Sequence, residues 1–171
     1  MDNLVLQTIR ARRSVRRYTD DPVPQEMLDA IVEAGRWAPS GGNNQSARFL
    51  VIKNPEVLKE LKALAREEFR RMDITPDTYA SIKSSILQSK RGGYDFTYGG
   101  AVLILVANRR GYGNAMADSA AAIENMLLAA ASLGVGACWI NQIRWLADHP
   151  AVVDKLASLG IPPEEMVCGG V

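Results

Sequence analysis

Arg10, Arg12, Arg13, Arg16 and Arg17 fall within one stretch of eight residues, Arg10-Ala-Arg-Arg-Ser-Val-Arg-Arg17, with Ser14 at its middle and no lysine among them. A guanidinium presents a planar fork of donors that meets phosphate or carboxylate oxygens two at a time, and a serine hydroxyl adds one more donor. Three explanations are open: a solvated charged face, a nucleic-acid patch, and a site for a phosphate-bearing cofactor. Five like charges at one junction repel one another without a counter-anion, which counts against the first. The chain's formal net charge is only +1, no aromatic residues interleave with the arginines, and no recognition motif follows; these count against the second. A phosphate-bearing cofactor is the favoured explanation.

A second segment has the composition of a ligand loop. In Pro39-Ser-Gly-Gly-Asn-Asn-Gln45, two glycines allow close backbone approach to a flat ligand, and Asn43, Asn44 and Gln45 offer amide donors and acceptors suited to ring carbonyls and sugar hydroxyls. The plain alternative is a helix stop and turn. A third segment, Trp139-Ile-Asn-Gln142, suits either a core strand ending in a turn or the floor of a cofactor pocket. Tyr94, Phe96 and Tyr98 are expected to be packing residues, with substrate stacking as an alternative that their spacing does not support.

Other chemistries lack their residues. His149 is the only histidine, and Cys138 and Cys168, the only cysteines, lie in apolar surroundings. A zinc site has no ligand set, a Ser-His-Asp or Cys-His mechanism has no marked histidine, and the thiols are expected to be reduced core residues. There is no Walker-type Gly-Lys-Ser/Thr loop. Gly134-Val-Gly136 lacks the third glycine of a dinucleotide fingerprint and joins a helix to a strand, the reverse of the required order. Catalytic side chains are therefore expected to be absent, the chemistry belonging to a bound cofactor.

The elements that must position these segments follow from apolar spacing. Leu4, Leu6 and Ile9 start a short helix with Asp2 or Asn3 as its cap, so the arginines lie at its end and in the extended segment beyond. Pro24 is placed as the first residue of a helix carrying Met27, Leu28, Ile31 and Val32 and ending by Trp37. Residues 49–52 are expected to be a buried strand, Pro55 to open a helix using Val57, Leu58, Leu61, Leu64 and Ala65, and residues 76–89 to form another, broken by Lys90-Arg-Gly-Gly93. The unalternating run 101–107 suits a central strand covered on both faces. An alanine-rich helix over 115–133, stopped by Gly134, follows a polar turn over 108–113. A strand over 136–140, a helix over 149–159 and a strand beginning at Met166 complete the chain. The expected architecture is α+β in three layers, helices packed on a small mixed sheet, as a single domain over 1–171.

Apolar residues make up 47% and charged residues 23% of the 171, ordinary for a soluble globular domain. The longest apolar stretch carries Asp118 and Glu124, which argues against a membrane span. Residues 1–17 show no secretory signal, so a cytoplasmic protein without membrane or nucleic-acid partners is expected.

Taken in chain order, Arg12-Arg-Ser-Val-Arg16, Ala38-Pro-Ser-Gly-Gly-Asn-Asn-Gln45 leading into Phe49-Leu-Val-Ile52, the run 101–107, Glu124-Asn-Met-Leu-Leu-Ala-Ala130 and Gly134-Val-Gly-Ala-Cys-Trp-Ile140 resemble the FMN-dependent nitroreductase family over nearly the whole chain. The resemblance implies a homodimer with FMN at the subunit interface. Arg12, Arg13, Ser14 and Arg16 would hold the phosphate and ribityl end. Pro39, Ser40, Gly41 and Asn43, with Gln45 in the same loop, would reach the flavin from the partner subunit. Ile140, Asn141 and Gln142 would lie along the isoalloxazine, with a backbone amide near its reactive nitrogen, and Asp118 matches a flavin-proximal helix position. The implied activity is hydride transfer from NADH or NADPH through the flavin to a nitroaromatic, quinone or activated alkene; the alternative is flavin binding or sensing without turnover. This chain departs from the pattern in having Ser46-Ala47 where the family often has Pro-Trp, in a segment 72–99 with no match to the family's substrate pocket, and in stopping at Gly169-Gly-Val171, where many relatives continue to a basic tail that also touches the phosphate. Either the chain is abbreviated there or the arginine cluster carries the whole phosphate.

Overall fold

A computed structural model describes residues 3–171. Asn3 accepts a hydrogen bond from the Leu6 amide at 3.0 Å and caps α1 (Leu4–Ala11); Asp2, the other expected cap, lies outside the described residues. Then come α2 (Gln25–Arg36), a 3-10 turn (Gly41–Asn43), β1 (Arg48–Ile52), α3 (Pro55–Arg71), α4 (Ala80–Arg91), β2 (Leu103–Arg109), α5 (Ala115–Ser132), α6 (Gln142–Trp145), α7 (Pro150–Ser158) and β3 (Glu165–Gly170).

β2 lies between β1 and β3 and pairs antiparallel with both, with a register irregularity at Val106/Ala107. Its unalternating apolar sequence serves two cores. Leu103, Leu105 and Ala107 point into a cluster with Leu61, Phe69, Ile86, Leu146 and Val152 from the α3, α4 and α7 side. Ile104 and Val106 point the other way, among Leu28, Ile31, Ile123 and Met126 of α2 and α5. Successive strand residues face opposite sides, so a strand buried on both must be apolar at every position. This is the expected three-layer α+β arrangement. Among the described residues the sheet's named strands are all antiparallel; the parallel component shrinks to a single bridge, Ser14 to Ala137.

Several boundaries differ from expectation. Residues 136–140 form no strand. They make two single bridges to different neighbours, Ala137 to Ser14 and Ile140 to Gly170, because side chains curl the backbone immediately afterwards: Trp139 Nε1 donates to Asn141 Oδ1 at 2.9 Å and the Asn141 amide to Gln142 Oε1 at 3.1 Å. The helix expected from Pro76 begins at Ala80, since Thr75 and Thr78 close a turn through their own backbone and hydroxyl groups. Pro24 is the N-cap rather than the first helical residue. The central strand runs to Arg109, where it still pairs with Glu165, and the single-turn α6 was not anticipated.

The connection between α4 and β2 is organised by one carboxylate. Asp95 Oδ1 accepts from the Thr97 amide (2.8 Å) and hydroxyl (2.7 Å), while Oδ2 accepts from the Gly99 amide (3.2 Å) and from Lys62 of α3 (3.0 Å). Burial pushes the Asp95 carboxyl up, but the Thr97 bonds and Lys62 outweigh it and hold the group below its ordinary value. A depressed carboxylate contributes stability that is complete above the unfolded value of 3.8 and lost as pH falls through the folded value. Asp95→Asn is therefore expected to unfold more easily at neutral pH, by about 1–2 kcal/mol. Below about pH 4 it should lose less further stability than the parent. Denaturant midpoints across pH check this; parallel curves would refute it.

Candidate functional site

Arg12 ends α1, its amide donating to the Thr8 carbonyl at 2.9 Å. Its Nε lies 3.6 Å from Glu124 Oε1, a partly exposed and long contact that contributes little. Arg13 folds back on the helix end, donating to the carbonyls of Arg10 (2.6 Å) and Arg12 (2.7 Å), where the helix terminus carries partial negative charge. Ser14 bridges Ala137, and the Val15 amide donates to the Ala137 carbonyl at 2.9 Å. The approach depends on Gly136, where a Cβ would sit 3.0 Å from Val15 Cγ1. The Arg16 guanidinium lies over the Tyr98 ring, 5.6 Å from its centroid. The Tyr98 hydroxyl, then Cys138, push Arg16 above its ordinary value, and a guanidinium is charged at any working pH.

The Ser14–Ala137 bridge thus sets the arginine segment beside the turn that contains Ile140, Asn141 and Gln142. Ile140 is buried and pairs with Gly170. The side chains of Asn141 and Gln142 point inward and hold the turn. Asn141 Oδ1 accepts from Trp139; Gln142 Oε1 caps the Asn141 amide and its Nε2 donates to the buried Tyr94 hydroxyl at 3.1 Å, which also bonds Ser85 at 2.8 Å. Burial, opposed by these hydrogen bonds, pushes Tyr94 above its ordinary value and keeps it neutral. The backbone is held as firmly, Ile140 exchanging both hydrogen bonds with Gly170 and the Asn141 carbonyl accepting from the Trp145 amide at 3.0 Å. Gly169 makes room beneath it, since a Cβ there would sit 2.8 Å from Ile123 Cδ1 and 3.1 Å from Trp139 Nε1.

The loop of Pro39, Ser40, Gly41, Asn43 and Gln45 is anchored elsewhere. The Gly41 amide donates to Asp118 Oδ1 at 3.1 Å, and the Tyr112 hydroxyl lies 2.9 Å from Asp118 Oδ2 and 3.1 Å from the Gly41 carbonyl. A Cβ on Gly41 would fall 2.0 Å from Asn114 Nδ2 and 2.9 Å from the Tyr112 hydroxyl, so a larger residue there would displace both side chains. Ser40 Oγ accepts from the Gln45 amide and Asn43 Oδ1 from Gln45 Nε2, both at 2.9 Å. Pro39, Ser40, Gln45 and Asp118 border a cleft of about 320 Å³ with Trp37 and Phe49. Asp118 therefore braces the loop with both carboxylate oxygens. Ser46, standing at the family's departure point, donates to Asn108 Oδ1 at 2.8 Å.

The structure thus brings together two of the three predicted segments, Arg12–Arg16 and Ile140–Gln142, and ties the third to α5. Tyr98, Tyr94, Tyr112 and Gly136 were missed as site-builders. Each has at least one partner tens of residues away: Arg16 for Tyr98, Gln142 for Tyr94, Gly41 for Tyr112 and Val15 for Gly136. Residues outside these segments have structural roles. Cys138 and Cys168 are free and buried, and burial pushes the Cys168 thiol up, away from reactivity. His149 Nδ1 meets Glu68 Oε2 at 2.9 Å and Arg71 holds the other Glu68 oxygen at 3.1 Å, linking α3 to the start of α7. Among the described residues, no cluster of three or more His, Cys, Asp or Glu could hold a metal, and no helix is long and apolar enough to cross a membrane.

This arrangement has relatives. The model of the nitroreductase family matches residues 9–171. An Archaeoglobus fulgidus protein provisionally named an NADH dehydrogenase/NAD(P)H nitroreductase is 31% identical over 171 residues, covering 94% of this chain and 86% of its own length. The crystal structure of a nitroreductase with bound FMN from Bacteroides fragilis superposes with a TM-score of 0.88 at 38% identity, over 99% of this chain and 86% of that one. A second FMN-bound nitroreductase, from Desulfitobacterium hafniense, gives 0.83 at 27% identity, over 99% and 87%.

Proposed function

Because this chain belongs to the nitroreductase family, we propose that it is an FMN-dependent oxidoreductase that takes hydride from NADH or NADPH and delivers it to an electron-poor acceptor such as a nitroaromatic, a quinone or an activated alkene. The observation that carries this is the Ser14–Ala137 bridge. It lays a cluster of guanidiniums, suited to a phosphate, alongside a turn underlain by Ile140 and Trp139, suited to a flat ring. The donor chemistry fits FMN at both ends. Arg12, Arg13, Ser14 and Arg16 would hold the phosphate and ribityl end. The backbone of Ile140, Asn141 and Gln142 would follow the ring, its shape held by Tyr94 and Trp139. When bound, FMN supplies the two-electron chemistry, which explains a site without a nucleophile or general base of its own.

The loop of Pro39, Ser40, Gly41, Asn43 and Gln45 is proposed to serve the flavin of a second copy, in a homodimer with FMN at the interface. The open cleft it borders with Trp37 and Phe49 supports this. So does the apolar surface nearby. Leu4, Val5 and Trp37 are 80%, 65% and 78% exposed, and they border one groove with Ala34, Leu128 and Ala129. An uncovered apolar surface of this kind marks an interface.

The test is direct. Protein incubated with FMN and desalted is expected to stay yellow, to bleach under NADH or NADPH without oxygen, and to regain colour when a nitro compound, quinone or enone is added. A colourless protein after desalting would remove the flavin assignment. Retained colour without bleaching by either nicotinamide would establish the alternative, a flavin-binding or flavin-sensing protein without turnover.

A further inference from the structure

Backbone strain is concentrated in a few places in this chain. Among the described residues, the non-glycine positions with left-handed backbone are Asn43 (φ 55°), Gln45 (φ 50°) and Tyr98 (φ 56°). Asn43 and Gln45 belong to the candidate loop, and asparagine tolerates this conformation. For a bulky aromatic it is unfavourable and persists only where the surroundings impose it. Here they do. The peptides on both sides of Tyr98 are pinned to Asp95, the Tyr98 amide donating to its carbonyl at 3.3 Å and the Gly99 amide to its carboxylate at 3.2 Å. The residues flanking the turn are anchored too: Tyr94 and Phe96 are buried in the core, and the Gly100 amide donates to the Thr97 carbonyl at 2.9 Å. Tyr98 itself remains 38% exposed. The strain therefore does not serve to bury the ring. Its consequence is that the ring lies against the Arg16 guanidinium, 5.6 Å from its centroid.

We infer that Tyr98 is a positioning residue of the cofactor site, held in a strained conformation by the Asp95 turn so that its ring fixes Arg16 in the orientation that receives the anionic cofactor. This rests on the FMN assignment made above. An exposed arginine ordinarily samples many rotamers, and ordering it on binding weakens the affinity; an aromatic face beneath the guanidinium removes part of that freedom beforehand.

The inference makes two measurable quantities move in opposite directions. Tyr98→Gly relieves the strained backbone and removes the ring. Its flavin-free form is expected to melt at the parent temperature or above, while its FMN dissociation constant, measured by quenching of flavin fluorescence, rises about tenfold. Tyr98→Phe keeps the ring and loses the hydroxyl, and its dissociation constant is expected to rise only about two- to threefold. Should Tyr98→Gly bind FMN as tightly as the parent, the inference is overturned. The same holds if melting falls and the constant stays unchanged, since that would make Tyr98 a purely structural residue. Failure of the parent itself to bind FMN would refute the flavin assignment and this inference with it, so the parent titration separates the two failures.

Discussion

Replacing Arg12 and Arg16 together by alanine is expected to raise the FMN dissociation constant by about a hundredfold or more, whereas Lys59→Ala and Lys155→Ala leave it unchanged. A hydrogen bond between ionised partners contributes roughly 1.5–3 kcal/mol, so two lost phosphate contacts amount to about 3 kcal/mol or more, and each 1.4 kcal/mol is a factor of ten. The fold should barely notice. The helix end at Arg12 is closed by its backbone amide on Thr8, which alanine keeps, and the Glu124 contact is 3.6 Å long. The lysine controls sit in surface pairs, Lys59 with Glu56 and Lys155 with Glu60, which contribute little. Riboflavin sharpens the measurement. Lacking the phosphate, it should bind parent and double variant with similar affinity, while FMN discriminates strongly between them and does so less at high salt. Equal FMN retention in all these variants would remove the phosphate assignment.

Why the arginine segment was legible while other parts of the site were not comes down to sequence distance. The cluster announces itself because like charges are costly together and lie within eight residues. The core strand was legible because β2 is apolar at every position, as burial on both faces demands. The glycine-asparagine loop was recognisable by composition, but its brace was not: Gly41 and Asp118 are 77 residues apart, and no local pattern links them. Asp118 appeared in the sequence as a flavin-proximal residue, and the structure shows both its oxygens engaged by protein. In the same way, Asn141 and Gln142 were expected only to lie along the isoalloxazine, and no spacing foretold that their side chains bond Trp139, the Asn141 amide and Tyr94. The expected strand over 136–140 failed for that reason. Apolar residues supplied the strand signal, and local side-chain bonds overrode it. Tyr98 could not be found at all by spacing, because its significance lies in a φ angle and in a contact across more than eighty residues of chain.

The brace on the loop yields the second large effect. Asp118 is 8% exposed and stands in the first turn of α5, where a carboxylate also favours the helix dipole. Asp118→Ala leaves the Gly41 amide without its acceptor and the Tyr112 hydroxyl with only the Gly41 carbonyl. The loss expected is about 2–4 kcal/mol of unfolding free energy, since removing one partner leaves buried polar groups unsatisfied. Asp118→Asn should cost nearer 1 kcal/mol. Its carbonyl oxygen still accepts from Gly41, and its amide can donate to a Tyr112 hydroxyl that turns its proton toward the Gly41 carbonyl. The functional consequence follows from the loop's proposed place at the partner's flavin. A ligand that binds only the folded protein raises stability by RT ln(1 + [L]/Kd), so a tenfold weaker site lowers the stabilisation by saturating FMN by about 1.4 kcal/mol. Denaturant midpoints measured with and without FMN therefore separate the two roles of Asp118. If the loop serves the flavin, Asp118→Ala lowers both the flavin-free stability and the increment FMN adds, and Asp118→Asn restores most of each. If stability falls while the FMN increment stays at the parent value, the loop is a structural turn and the flavin site is built without it.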